Sequence, residues 1–301
     1  MNTFTNLIEL QKHFSNEEIC WKHLESLRWN NKIICPFCKS EKHYKFKNSH
    51  TFKCAKCLKK FNAKTGTIFE NTKIPLSKWF ISIYIATSHK KGISSCQLAK
   101  DIGVTQKTAW FILHRIREML KVKAPLMLKG KVEIDETFIG GKEGFKHKSK
   151  RQNIDGYVNK SMVFAILERQ GNVWTKMVNK VDGKTLKPII RRHVSQNTTI
   201  ITDGFGAYSG LNKEYHHETV NHIQEEYVRG EWHTNTIEGY FSQLKRGIYG
   251  IYHHVSPKHL HRYCNEFSFR YNTRRSKENE RFDFSFIACN KRLKYKDLVA
   301  K

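Results

Sequence analysis

The sequence predicts an α/β protein in which a larger α/β domain follows a small cysteine module and a helical module. Three observations carry that reading. Two Cys-x-x-Cys pairs, Cys35/Cys38 and Cys54/Cys57, stand fifteen residues apart near the N-terminus. Residues 75–121 carry helical periodicity interrupted by short turns. From residue 131 the order becomes strand, strand, strand, helix, strand, short helix, strand, helix, helix.

Composition narrows the partners. The 301 residues hold 54 Lys and Arg against 27 Asp and Glu, a formal charge of +27. That excess is unlike a typical metabolic enzyme and favours a polyanionic partner, nucleic acid first and an anionic membrane second. A hydrophobic content of 39% is enough for packed cores and excludes a disordered basic tail. No run approaches the ~18 apolar residues of a membrane span. The most apolar one, WFISIYIAT at 79–87, is half that length. MNTFTNLIELQKHFSNEEIC lacks the basic-then-apolar pattern of a signal peptide. The expected location is the cytosol or nucleus, a reducing setting in which the eight cysteines are not read as disulfides.

Residues 1–30 read as a helical lead-in, from the spacing of Leu7, Leu10 and Phe14 and then Ile19, Trp21, Leu24 and Leu27. In residues 31–65 the two cysteine pairs form knuckles flanking a hairpin with Tyr44, Phe46 and Phe52. Four thiolates so paired match a tetrahedral structural Zn²⁺ site, since a redox function needs only one pair. The metal would supply much of the folding free energy of so small a module. Cys20, Cys96, Cys264 and Cys289 have no partner in sequence and are expected to be buried or inert.

Residues 75–122 read as a helix-turn-helix DNA-binding module. Pro75 opens a first helix, SSCQLAKDI forms a short one, Gly103-Val104 turns the chain, and Thr105 opens the next. Gln106, Lys107, Thr108 and Trp110 would begin the recognition helix, with Arg115 and Arg117 following, while Ile112, Ile116 and Met119 face the core. Pro125 and Gly130 mark a boundary at 122–130.

Beyond it, KVEIDETFIGG is the first strand and carries Asp135; a basic loop, KEGFKHKSKRQNIDGYVNK, follows. SMVFAILERQ and NVWTKMVNKV pair as a hairpin, KTLKPIIRRHV is a helix, TTIITDGFGAY is a strand ending at Asp203, and HHETVNH is the last strand. In WHTNTIEGYFSQLKRG, Thr234 or Asn235 caps a helix whose apolar face is Ile237, Tyr240, Phe241 and Leu244; Glu238 lies one turn in and Lys245 two turns further on the same face. A final helix carries Leu260, Tyr263, Phe267 and Tyr271, a stripe read as core, before a tail at 276–301. Two Asp at strand ends and a Glu on a later helix form a pattern that can gather three carboxylates around divalent metals. Glu133 and Glu136 read as solvated or structural acids, and Asp155, Asp182, Glu225 and Glu226 as loop acids. His233, His253, His254, His259 and His261 lack metal-ligand spacing with an acid and read as solvated or phosphate-contacting.

That order of elements is shared with ribonuclease H-like nucleases and integrases. Over residues 30–275 the chain resembles bacterial insertion-sequence transposases with an N-terminal zinc ribbon and an ISXO-like DDE domain. The resemblance is carried by CPFC and CAKC, EIDETFIGGK, ITDGFGAY and HTNTIEGYFSQLKRGIYGIYHHVSPKHLHRYCNEFSFRYNTR. It implies a ribonuclease H-like catalytic domain over 131–275, with Asp135, Asp203 and Glu238 as the acids holding two Mg²⁺ (or Mn²⁺) ions and Lys245 as the basic residue after the Glu. It further implies double-stranded DNA as partner, both transposon ends and target, cleavage and strand transfer as the reaction, and a homo-oligomer in the synaptic complex. Some relatives use Asn as the third residue, which makes Asn235 the alternative to Glu238; a carboxylate binds Mg²⁺ better than an amide. Two other classes stay open: a zinc-ribbon/helix-turn-helix regulator with an idle transposase-derived domain, and a nuclease without strand transfer.

Overall fold

The computed structural model describes residues 4–300 apart from 31, 48, 122–126, 142–146, 151–159, 222–223 and 291. Pro125, Asp155 and most of the basic loop after the first long strand lie outside the described residues. The chain divides into two compact units, residues 1–121 with 275–301, and residues 122–274. Among the described residues no helix is long and apolar enough to cross a membrane.

The first unit begins with α1 (Leu7–His13) and α2 (Glu17–Trp29). Asn6 and Asn16 cap them by accepting from Glu9 and Ile19 N–H, as short polar side chains at this position do. Strands β1 (His43–Lys45), β2 (Phe52–Cys54) and β3 (Lys60–Phe61) form an antiparallel sheet in that order. Its small core is aromatic: Trp29 from α2 meets Phe52 and Phe61 edge-on at 5.5 and 6.1 Å. Then come α3 (Leu76–Ser88), α4 (Ser95–Ile102) and α5 (Gln106–Met119). Pro75 offers α3 no side-chain cap, and the Glu17 carboxylate of α2 replaces it, accepting from Leu76 and Ser77 N–H at 2.7 and 3.2 Å. Ser94 caps α4 and Gly103, at φ 60, ends it; Thr105 caps α5. A left-handed residue is what a helix C-terminus asks for, and glycine adopts it without a Cβ clash.

In the second unit β4 (Lys131–Ile139) is the centre of a five-stranded sheet. On one side it pairs antiparallel with β5 (Ser161–Glu168), which pairs antiparallel with β6 (Val173–Val178). After α6 (Gly183–His193), β7 (Thr199–Asp203) returns parallel to β4, and β8 (His216–Val220) lies parallel to β7. Helices α7 (Asn235–Gly247) and α8 (Pro257–Asn272) follow. Side chains alternate across a strand, so β4 feeds two cores. Val132 and Ile134 pack with Phe164, Ile166 and the α6 residues Leu186 and Ile190. On the other face Val163, Ala165 and Leu167 pack with Ile237, Tyr240, Phe241 and Leu244 of α7 and with Leu260 and Phe267 of α8. Tyr263 and Phe267 are buried, so the aromatic stripe of α8 is core.

Two expectations are corrected here. The residues read as a tail form α9 (Glu278–Ser285) and α10 (Tyr295–Val299) and belong to the first unit. Phe282 is fully buried against Phe4 and Phe80 at 5.4 and 5.5 Å, and the backbone of Cys289 accepts from Ile68 N–H at 3.0 Å. Arg115 and Arg117, expected on a DNA-facing surface, are buried. Arg115 donates to the carbonyls of Leu293 and Glu70 and lies 4.5 Å over the Phe111 ring, and burial lowers its guanidinium to about 10. The returning C-terminal segment covers this stretch of α5, and no local pattern in the helix announces it. Cys96 is exposed, the one unpaired cysteine of its group that is.

Phe282→Ala is expected to lower the unfolding free energy of the first unit by about 3–5 kcal/mol, the usual cost of truncating a fully buried Phe. Denaturant unfolding measures it; a loss under about 1 kcal/mol would contradict the docking of the C-terminal helices.

Candidate metal centre and acidic site

The metal centre lies in the first unit. Each Cys-x-x-Cys turn closes the same way: Lys39 N–H bonds Cys35 O at 3.0 Å and Leu58 N–H bonds Cys54 O at 3.1 Å. Lys39 and Leu58 both sit at positive φ, 61 and 60. These matched turns point two pairs of thiols at one spot. The four Sγ atoms of Cys35, Cys38, Cys54 and Cys57 lie within 4.8 Å of one another, with Cys35–Cys57 at 3.7 Å and Cys38–Cys54 at 3.4 Å. A tetrahedron of thiolates about 2.3 Å from zinc has edges of roughly 3.8 Å, so the donor set fits Zn²⁺. The N–H of Cys57 donates to Cys54 Sγ at 3.5 Å and lowers that thiol, while burial and the neighbouring thiols raise Cys57. Among the described residues this is the sole group of three or more such ligand atoms that close together.

The acidic site lies in the second unit. Asp135 occupies the middle of β4, not a strand end as expected, whereas Asp203 does end β7. The parallel register pairs Glu133 with Ile201. Continued two residues, it sets Asp203 beside Asp135, on the sheet face that α7 covers. The helix supplies Glu238 and Lys245. With Asp135 these line one open cavity of about 580 Å³, together with Glu136, Thr137, Phe241, Ser242, Arg246 and Tyr249. Asn235 is exposed at the first turn of α7 and is not among the lining residues.

The electrostatics are those of crowded acids. Burial, then the neighbouring carboxylate of Glu136, and further Asp203 and Glu238, push Asp135 up to about 8, although the N–H of Glu136 donates to it at 2.7 Å. Burial also raises Glu136, which accepts from Tyr208 Oη at 2.5 Å. Asp203 accepts from Phe205 N–H at 3.1 Å, and Glu238 from Thr234 Oγ1 at 2.7 Å. Thr234 therefore stands at the N-cap position without a capping bond, its hydroxyl turned to Glu238. The cap comes instead from Glu133, whose carboxylate accepts Ile237 N–H at 2.9 Å and pairs with Arg169 at 2.6 Å. Sequence reasoning placed Glu133 only as a solvated or structural acid and missed Arg169, because their pairing joins residues thirty-six positions apart.

Of the residues expected to read DNA, Gln106 and Lys107 are exposed and Thr108 half-buried at the start of α5. Gln106 donates to Ser95 Oγ at 2.8 Å, and Lys107 Nζ lies 5.2 Å over the Tyr295 ring.

Two outcomes follow from these geometries. Cys54→Ser is expected to lose zinc and unfold the ribbon; elemental analysis beside circular dichroism reads both, and a folded metal-free ribbon would contradict the assignment. Asp135, raised in the folded protein, favours the fold when protonated; that contribution is whole below the ordinary carboxylate range, falls as pH rises, and is gone above about 8. In zinc-loaded protein with no other divalent cation added, Asp135→Asn should therefore melt above the wild type by a margin that widens between pH 4 and 8. A margin independent of pH would show that Asp135 is not held protonated.

Comparison with known proteins agrees with this division. Residues 15–60 match the transposase zinc-ribbon domain family, and residues 127–272 match the ISXO2-like transposase domain family. An uncharacterized protein in transposable element ISH50 of Halobacterium salinarum is 29% identical over 276 residues, covering 86% of this chain and 92% of that protein. An uncharacterized transposase-like protein of Haemophilus influenzae is 29% identical over 101 residues, 33% of this chain and 80% of that one. Among solved structures, the Mos1 strand transfer complex covers 75% of this chain and 82% of its own at 14% identity, with a TM-score of 0.23, too low to assign anything. With a transposase zinc ribbon and an ISXO2-like transposase domain in one chain, together spanning more than half its length, the protein belongs to the insertion-sequence transposases that combine the two.

Proposed function

We propose that the chain is a DNA transposase that binds the ends of its insertion sequence and catalyses metal-dependent cleavage and strand transfer, with Asp135, Asp203 and Glu238 as its acids. The observation that carries this reading is the cavity in which Asp135, Glu238 and Lys245 meet, with Asp203 on the neighbouring strand. The sheet order β6-β5-β4-β7-β8, with helices on both faces, supports a ribonuclease H-like catalytic domain. Helices α4 and α5, joined by a short turn at Gly103, support a helix-turn-helix.

The donor set suits hard divalent cations. Carboxylate oxygens are their preferred ligands, and a carboxyl that burial and then neighbouring acids hold up to about 8 is relieved by positive charge. Bound ions, Mg²⁺ or Mn²⁺, would activate the attacking oxygen and stabilise the leaving one. The protein's own part is placement. Strand β4 and helix α7 bring Asp135 and Glu238 to one cavity, Asp203 stands on the neighbouring strand outside its lining, and Lys245, two turns beyond Glu238, offers a phosphate an ammonium group. Water attack on the phosphodiester at the element's end frees a 3′-hydroxyl, which then attacks a target phosphodiester in the same site. Partners in this reading are double-stranded DNA, as ends and target, and further copies of the chain in a synaptic assembly. Gln106, Lys107 and Thr108 at the start of α5 would contact DNA; Arg115 and Arg117, being buried, are left out.

The test is a nicking assay on a labelled transposon-end duplex with Mg²⁺ or Mn²⁺. Asp135→Ala, Asp203→Ala and Glu238→Ala should each abolish cutting while DNA binding persists. Lys245→Ala should be milder. An inactive Asn235→Ala beside an active Glu238→Ala would transfer the third role to Asn235. Binding without cutting by the wild type would favour the idle-domain regulator, and nicking without joining a nuclease.

A further inference from the structure

We propose that Glu133 and Arg169 form a positioning pair that sets the distance between Asp135 and Glu238, and with it the cation affinity of the site. The inference rests on the reading above, that these acids bind divalent cations. Glu133 lies on β4 two residues before Asp135, on the same sheet face, and its side chain is completely buried. A buried carboxylate costs several kcal/mol unless each oxygen is matched. Both are. Oε1 takes Arg169 Nε at 2.6 Å, and Oε2 takes the Ile237 N–H at 2.9 Å. His233 Nδ1 stands 3.6 Å from Oε1.

The Ile237 N–H is one of the unpaired amides at the start of α7, and the next residue is Glu238. Thr234, at the N-cap position, makes no side-chain capping bond, and its hydroxyl donates to Glu238. A carboxylate at the positive end of the helix dipole takes that place. Arg169 completes the arrangement. Its two terminal nitrogens donate to the carbonyls of Glu231 and His233 at 2.6 and 2.7 Å, in the chain entering α7, and its own N–H bonds Lys131 O on β4 at 2.9 Å. One ion pair, its carboxylate buried and its guanidinium half-buried, thus ties the strand bearing the first acid to the helix bearing the third, within two residues of the one and one residue of the other. Neither member lines the cavity, and Glu133 is too enclosed to be a ligand. The pair acts through geometry, and a displacement of about 1 Å is enough to cost a site about a hundredfold.

The test uses the full-length, zinc-loaded protein. Glu133→Asp shortens the bridge by one methylene, and Arg169→Lys removes the fork; both keep the local charge. Three quantities are measured for each: melting temperature, Mn²⁺ affinity by calorimetry without DNA, and amide exchange at Ile237 and Glu238. Both variants are expected to fold, to exchange faster at those two amides, and to bind Mn²⁺ about 10–100-fold more weakly, with excess Mn²⁺ restoring part of the nicking. A lowered melting temperature with unchanged Mn²⁺ affinity would reduce the pair to a brace for the fold and overturn the proposal. Should Glu133→Asp fail to fold, Arg169→Lys decides by the same criterion. Wild-type protein that binds no Mn²⁺ at an Asp135-dependent site would instead remove the proposed catalytic reading, and this inference with it.

Discussion

Burial of carboxylates gathered about β4, with repulsion among them second, is the constraint on which the second unit depends. Glu133, Asp135 and Glu136 lie within four residues of one strand, and Asp203 and Glu238 approach from β7 and α7. Each acid has its own hydrogen-bond partner, from fully buried Glu133 to exposed Glu238. Glu133 is ion-paired, Glu136 accepts from a tyrosine, Glu238 from a threonine, and Asp203 from a backbone amide of the following turn. Asp135 has only the N–H of Glu136 against three neighbouring acids, and it is the one driven up to about 8. The acids thus separate by environment: ion-paired Glu133 sits in the core, and Asp135 faces the cavity.

A second regularity runs through both units. The helices on which most depends are capped from other elements. Glu17 of α2 accepts the first amides of α3, and Glu133 of β4 accepts an early amide of α7. A side-chain cap within a helix stabilises that helix alone, typically by about 1 kcal/mol. A cap from another element also fixes where the helix stands, because the acceptor cannot move without the element that carries it. For α7 that is the more consequential effect, since Glu238 and Lys245 ride on it.

The first unit solves a different problem. A ribbon of three short strands buries little beyond Trp29, Phe52 and Phe61, so a metal bound by four thiolates supplies what the core does not. The helical part gains its aromatic core from both ends of the sequence, Phe4 and Phe14 from one and Phe282 and Phe286 from the other, all packed about Phe80 of α3 or one another. The same C-terminal return that completes this core also encloses Arg115, leaving only the start of α5 open to a partner.

What the sequence determined by itself is the chemistry that local spacing encodes. Two Cys-x-x-Cys knuckles fix a four-thiol site because a two-residue gap suits one turn around one metal. The spacing of Ile237, Tyr240, Phe241 and Leu244 fixes which face of α7 is buried, and so which face Glu238 and Lys245 share. Strand order and the strand-end place of Asp203 were legible from alternation and turn residues for the same reason. Tertiary structure alone decided what depends on contacts between distant segments. Asp135 sits mid-strand because the pairing with β5 continues past it to Ile139, whereas the pairing with β7 ends near it. Arg115 turned from a surface cation into a buried donor because α10 and the segment before it return over α5. Glu133 became the cap of α7 because sheet register and helix packing bring residues 133, 169 and 237 to one point. A carboxylate in a sequence carries no sign of whether a guanidinium thirty-six residues away will meet it, and that meeting is what makes Glu133 part of the core.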